Sequence, residues 1–501
     1  MRKTFILAIL FLTIFIFRTE AGEINMEESR MVGLLRFLYC ISETDRASVS
    51  MKQIYIDKRG DNEKDKIYIK KIKDIFAGLP QNITLYPAKK FDGEKLPTKY
   101  KTTNLLYYYG AAAKDFKDFK FLLSSVIPDE KLGNLIEVLE YFLPVYNELY
   151  YEKSETCLKE LIEKRNKEKD FYNKILDMTL RFYSSSLPAC EIKIILVPIY
   201  VPVEERENYR KKHMSIEGQS LGNLQIVETV IPCSEKSDNE WYVSVHETVH
   251  YYQNLSEENK TLQEEMKKYD PIFGKISSEF LNEAIATIVQ TYSASMSGKK
   301  NIYDEEWYNE KIIDGYAKEL YCDVTDYLEK DKVIDKNLVI KGVEIFKKKF
   351  PDAPFMKEIV FNEMNIMSDS FNIMEIMPVF RVTGRARSIY GNDPLNGKDI
   401  LKNYEKICTQ VFVMKENEID RLTPYDIIDK EKIKEELQKS KNFSFSIFDE
   451  KRGIFNIVFI CEDCEKLKEM LIKIKDRDSV TEGIEILQKP VNYKKTKEIK
   501  L

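Results

Sequence analysis

Histidine is almost missing from this chain: among 501 residues there are three, His213, His246 and His250. Any pattern that uses two of them together therefore carries information. Charge of one sign is missing too. The 78 basic and 83 acidic side chains leave a formal charge of −5, and no long run of one sign precedes the lysine-rich C-terminus, so nothing points to a nucleic-acid partner. Eight cysteines are far too few to be the framework of a small disulfide-rich fold, although their even number permits bridges in an oxidising compartment. Past the N-terminus no stretch is apolar enough for the roughly 20 residues of a membrane-spanning helix. What is left is the make-up of an ordinary globular protein, 43% hydrophobic and 32% charged. It is long enough for two to four domains around at least one large core.

Residues 1–21 read as an export signal. Arg2 and Lys3 precede the 14-residue apolar run Thr4–Phe17, and small Thr19 and Ala21 follow at cleavage-site spacing. Cutting after Ala21 is expected, which gives a secreted or extracytoplasmic protein (periplasm or cell envelope) with no stable membrane span. An uncleaved N-terminal anchor is the lesser alternative. Residues 22–186 are helical in period, as in Asn134–Lys167, where apolar residues recur three and four apart, and predict a helical N-terminal domain. At residue 187 the character changes. Ile192–Val203 and Leu221–Ile231 are β-branched apolar runs of strand length, which predicts a small sheet. Helices are expected around Ser237–Leu255 and Ser277–Ala294, with further helical text to Ser440, so a second domain is drawn over 187–440. Phe443–Phe448 and Ile454–Ile460 alternate like a hairpin and Glu465–Lys475 has helical period, which makes 441–501 a small α/β C-terminal domain. The fold class is α+β, predominantly helical.

The sharpest signal is Trp241–Asn254, WYVSVHETVHYYQN, with His-Glu-x-x-His at His246, Glu247 and His250. On a helix, residues four apart lie one turn above each other, so two imidazoles can aim at one ion while Glu247 stands beside it. Ser237 and Glu240 form a capping-box pattern, and Trp241, Val245 and Val249 form an apolar stripe, which supports that helix. With histidine this rare, chance produces the pattern roughly 0.002 times in such a chain. The bland reading is a helix whose histidines satisfy core polar groups. A catalytic zinc takes three protein ligands and keeps one position open. His213 is a weak third ligand and a carboxylate a better one. In Phe280–Ile288, FLNEAIATI, Glu283 is a charge among apolar residues on what reads as a buried helix. Burying a carboxylate is costly unless it is paired or bound to metal. Glu279, one turn earlier on the same face, is the second choice, and a structural ion pair is the alternative for both.

These residues carry a family resemblance. H-E-T-V-H followed 33 residues later by N-E-A-I-A, with a β-branched strand just before the first helix, resembles the gluzincin branch of the zincin metallopeptidases. The metzincin type is excluded, because Gln253 and Ser256 stand where it needs glycine and histidine. The resemblance implies a zincin-like domain over 187–440, with one Zn2+ per chain held by His246, His250 and Glu283 and with Glu247 as general base. It also implies a peptide or protein substrate that pairs in extended form with Leu221–Ile231. One position departs: many gluzincins have an aspartate four residues after the ligand glutamate that orients a histidine, and here that residue is Thr287. Another residue must then give that support. The expected function is an exported zinc-dependent metallohydrolase, foremost a peptidase. The alternative is a catalytically silent zinc-containing binding protein of the envelope or the medium, against which Glu247 argues, since a structural site has no use for a base. For the donor that stabilises an oxyanion the options are His213, Tyr292 and the run Arg381, Arg385, Arg387 and Tyr390.

Cys461 and Cys464, in CEDC, stand between a predicted strand and a predicted helix. Helix N-termini lower thiol pKa values at redox sites, but Glu462 and Asp463 oppose a thiolate, so a structural disulfide or a free pair is expected.

Overall fold

The computed structural model describes residues 23–42, 49–60, 62–85, 98–124, 126–184, 191–205, 218–231, 239–298, 306–380, 388–391, 408–423, 425, 427–475, 477, 479–480, 483–486 and 489–490. The expected leader, Cys190, His213, Cys233, Ser237 and the three arginines of the 381–387 run lie outside the described residues. Contacts divide the chain into two compact units. One comprises Met1–Asn259, Ile285–Trp307 and Cys322–Ile334, and the other Lys260–Ala284, Tyr308–Tyr321 and Asp335–Leu501.

The strands of the first unit are β1 (Ile24–Glu28), the hairpin partners β2 (Asn82–Leu85) and β3 (Thr98–Lys101), β4 (Ile192–Tyr200), β5 (Gly218–Leu221) and β6 (Leu224–Ile231). Four of them form one sheet in the order β1-β4-β6-β5. β1, β4 and β6 run parallel, with Ile24 opposite Ile192, and β5 returns antiparallel at the edge. The strand Ile24–Glu28 thus pairs with one expected in the next domain, so the boundary drawn at 186/187 cuts through a sheet. Pro198 sits in β4 beyond Leu196, the last residue opposite β1, where the strand has a neighbour on one side only and loses no ladder bond there. Leu221–Ile231 is not one strand: the chain turns back at Gly222, whose φ of 75° suits glycine, so β5 takes the edge and β6 lies inside.

Side chains alternate across this sheet. Leu224 and Ile226 of β6, with Ile195, Val197 and Ile199 of β4, pack into the large core built by the N-terminal helices. The helix Arg30–Ser42 is the centre of that core. Every residue from Met31 to Ser42 is buried, as a helix apolar on nearly all sides must be. The one charge among these buried residues, Arg36, reaches Glu228 of β6 at 2.8 Å, and both are buried. Gln225 and Thr229 of β6 face the other way, toward the helix Asn239–Leu255.

The second unit holds a seven-stranded sheet of β7 (Glu363–Met367), β8 (Ser388–Gly391), β9 (Thr409–Met414), β10 (Phe443–Asp449), β11 (Ile454–Ile460), β12 (Gly483–Ile486) and β13 (Lys489–Pro490). Its order is β13-β12-β10-β11-β9-β7-β8. β11, β9, β7 and β8 are mutually parallel and the rest antiparallel. The hairpin expected over 443–460 is there, but β7 and β9 come from text read as helical, and the sheet runs across the boundary drawn at 440/441. β11 is buried on both faces: Phe455, Ile457 and Phe459 enter one core with the helix Cys464–Lys475, while Ile454, Val458 and Ile460 enter another with Lys430–Leu437. The protein is mostly helical with two mixed sheets, in line with the α+β expectation. Among the described residues no helix is long and apolar enough to cross a membrane.

Candidate metal centre

The helix Asn239–Leu255 is held against β6 by polar contacts as well as by buried Trp241, Val245 and Val249. The Glu240 carboxylate accepts from Thr229 Oγ1 at 2.6 Å and from Arg165 Nη2 at 3.1 Å, all buried. It is therefore engaged with the sheet and the N-terminal helices rather than closing the helix start. Gln225, with its amide turned so that donors meet acceptors, gives a bond to the Ser244 carbonyl at 3.1 Å and takes one from Thr248. Trp241 stacks on Tyr172 with ring centroids 4.3 Å apart.

One turn apart on this helix, buried His246 and half-buried His250 converge. His246 Nε2 and His250 Nε2 lie 3.1 Å apart, and two nitrogens each about 2.1 Å from a tetrahedral zinc stand about 3.4 Å apart. The Glu283 carboxylate joins them: one ligand atom from each of His246, His250 and Glu283 lies within 4.8 Å of the others. Among the described residues no other set of three His, Cys, Asp or Glu side chains gathers in this way. Glu283 sits on the 24-residue helix Phe273–Met296, whose first turn is capped by Asp270 accepting from the Ile272 and Phe273 amides at 2.9 and 2.8 Å. That helix is continuous into Ile285–Met296 of the first unit, so Glu283 is carried by the same rod. Glu279 goes elsewhere. Its carboxyl accepts from Asn362 Nδ2 at 3.4 Å and faces the Cys408 thiol. Burial, and next the charge of Glu363, push its pKa up to about 8.

The candidate ligands are oriented by residues that the sequence pattern does not single out. His250 Nδ1 lies 2.7 Å from Gln253 Oε1, and Gln253 Nε2 donates to the Tyr183 hydroxyl at 2.8 Å. Tyr308 donates to Glu283 Oε2 at 3.2 Å. Gln253 could have been found, because it stands three residues after His250 on the same helix face. Tyr308 and Tyr183 carry no such local signal. Thr287, which replaces the expected aspartate, is buried and its hydroxyl makes no hydrogen bond among the described residues.

Glu247 is half-buried beside the edge strand. A Cβ placed on Gly218 of β5 would come within 2.4 Å of Val243 Cγ1 and 2.9 Å of Glu247 Cγ. Only a residue without a side chain lets the strand lie this close to the helix. Of the stretch Leu221–Ile231, expected as one strand, only Leu221 belongs to the edge strand β5, and β6 lies behind it.

Of the expected oxyanion donors, Tyr292 gives its hydroxyl to Glu329 at 3.3 Å, and Tyr390 lies on β8, where only the backbone is described. Cys461 and Cys464 are free thiols. Burial pushes Cys461 up to about 12 and raises Cys464 as well, the reverse of what a redox thiolate needs. No known protein family, curated protein or solved structure matches the chain.

Proposed function

We propose that this chain is a zinc-dependent peptidase that works outside the cytoplasm after loss of residues 1–21, with a zincin-like arrangement of sheet and helices in its first unit. The observation that carries this reading is the gathering of His246, His250 and Glu283 ligand atoms within 4.8 Å, in a chain with three histidines. Two imidazoles and one carboxylate are a fitting donor set for zinc, and three protein ligands leave a fourth position for chemistry.

Zinc held there supplies Lewis acidity, polarising a scissile carbonyl and bringing the acidity of water toward neutral pH. Glu247, beside both ligands on the same helix, takes the proton of the attacking water and returns it to the leaving amine. His250 presents Nε2 because Gln253 occupies Nδ1. β5 supports peptide as the substrate: it is a short antiparallel edge strand lying on the Glu247 side of the helix, where an extended chain can add its own main-chain bonds.

The test is elemental analysis of the purified full chain beside His250→Ala, Glu283→Ala and Glu279→Ala, with casein hydrolysis on the same samples. The reading expects about one zinc per chain, lost in the first two variants and kept in the third, and hydrolysis abolished by Glu247→Gln. A wild-type protein that cannot be loaded with zinc overturns it.

A further inference from the structure

We propose that Gln253, anchored by Tyr183, is a positioning residue for this centre: its amide oxygen at His250 Nδ1 favours the imidazole tautomer able to take a metal. The inference rests on the zinc reading above and names the residues that replace the missing aspartate. A neutral imidazole has one N–H and one lone pair, and the group facing one nitrogen decides which nitrogen keeps the proton. Gln253 Oε1 at 2.7 Å from Nδ1 can only accept, so the proton stays on Nδ1 and the lone pair stays on Nε2, 3.1 Å from His246 Nε2.

An amide can also be turned by half a rotation. Its nitrogen would then donate to Nδ1, the proton would move to Nε2, and His250 could not bind a metal. Shape does not forbid this, because the two orientations are nearly isosteric. The far end of the amide is anchored, because Nε2 donates to the Tyr183 hydroxyl at 2.8 Å; a phenol can also donate, so the choice of orientation rests on the Nδ1–H that His250 must carry when Nε2 takes a metal. Tyr183 and Gln253 are both buried, so water does not compete for either group. Burial also raises the Tyr183 pKa well above the ordinary phenol range, so the ring stays neutral. The backbone on both sides is fixed. Tyr183 ends the helix Lys169–Tyr183, its carbonyl accepts from Ser256 Oγ at 3.0 Å, and Ser256 Oγ in turn accepts from the Asn259 amide at 3.0 Å. The relay thus links the ends of two helices, and neither Tyr183 nor Gln253 belongs to the ligand set.

The experiment measures Zn2+ affinity of the full chain by competition with a chromophoric chelator for wild type, Gln253→Met, Gln253→Glu, Tyr183→Phe and His250→Ala. The imidazole 15N shifts of the zinc-free proteins are recorded alongside. Gln253→Met, which keeps volume and loses the acceptor, should weaken zinc roughly 10- to 100-fold, and Tyr183→Phe should weaken it by several-fold. Gln253→Glu, which can only accept, should hold zinc at least as well as wild type. The 15N shifts should report Nδ1–H for His250 in wild type and a growing Nε2–H fraction in Gln253→Met. If Gln253→Met and Tyr183→Phe bind zinc like wild type while His250→Ala does not, the positioning role is overturned and the zinc reading stands. An unchanged tautomer in Gln253→Met overturns the selection by Gln253 whether or not zinc binds. A wild type that takes no zinc overturns both.

Discussion

Replacing Gly218 with alanine probes the contact between β5 and the helix that carries Glu247. The new methyl would meet Val243 Cγ1 at 2.4 Å and Glu247 Cγ at 2.9 Å. An ordinary carbon–carbon contact is about 3.8 Å, so the neighbours must open by about 1.4 and 0.9 Å. Neither atom is the loose end of a flexible side chain, since valine is stiff at χ1 and Cγ of Glu247 sits near its backbone. β5 has one strand neighbour, β6, and can yield outward, which keeps the cost inside the usual overpacking range, about 2 kcal/mol. For a unit of about 300 residues, at about 0.6 kcal/mol per degree, that is a fall in melting temperature of roughly 3 °C. A shift of about 1 Å in Glu247 should cost on the order of 100-fold in kcat, with zinc content unchanged because both imidazoles keep their places on the helix. Differential scanning fluorimetry, elemental analysis and peptide hydrolysis on one preparation measure all three. Val243→Ala in the same chain removes the closer of the two clashing atoms and should restore most of the lost stability. A Gly218→Ala protein that melts and hydrolyses like wild type would show that β5 does not bear on Glu247, and with it the placement of the substrate edge would fall.

Three further outcomes follow from other contacts. Tyr308→Phe removes the bond to Glu283 Oε2 and should weaken zinc about tenfold in the chelator assay, with little change in melting of the zinc-free protein. Arg165→Ala leaves the buried Glu240 carboxylate without its cation and should cost about 3 to 5 kcal/mol by urea unfolding, most of it recovered in the double variant with Glu240→Gln. Glu279 keeps its proton in the folded chain up to about pH 8 and in the unfolded chain only to about 4.5, so its contribution is complete below 4.5 and is lost as pH rises toward 8. At about 1.4 kcal/mol per pH unit the loss reaches at most roughly 5 kcal/mol, and Glu279→Gln should flatten the decline of melting temperature between pH 5 and 8.5. Parallel wild-type and variant curves would refute that.

The legible parts of this protein are those whose logic is local. His246 and His250 are one helical turn apart, so their convergence is written in their spacing, and Glu283 stands out because a charge interrupts FLNEAIATI. The N-terminal helices show their period in the same way. The sheets were harder to read. β1 is five residues long and finds its parallel partner at Ile192, far along the chain, so nothing nearby marks it as a strand. β7 (EMNIM) and β9 (TQVFVM) are mixed segments of five and six residues, too short for period 2 and period 3.6 to differ, and they lie among helical text. The turn between β5 and β6 is readable from Gly222–Asn223, and it splits the expected single strand Leu221–Ile231 into an edge strand and an inner one.

The departure at Thr287 has a physical answer that changes how the centre is built. In the resemblance, the group that orients a histidine comes from the glutamate helix, so the imidazole and the carboxylate depend on one another. Here Gln253 is on the same helix as His250, three residues on, and Tyr183 backs it. The two-histidine half of the site is therefore set without Glu283. Glu283→Ala should lower zinc affinity through loss of a ligand while His250 keeps its proton on Nδ1, whereas Gln253→Met should disturb the tautomer with Glu283 intact. Imidazole 15N spectra of the two zinc-free variants separate these cases. If Glu283→Ala shifts His250 to the Nε2–H form, the histidine is oriented from the glutamate helix after all, and Gln253 is only a neighbour.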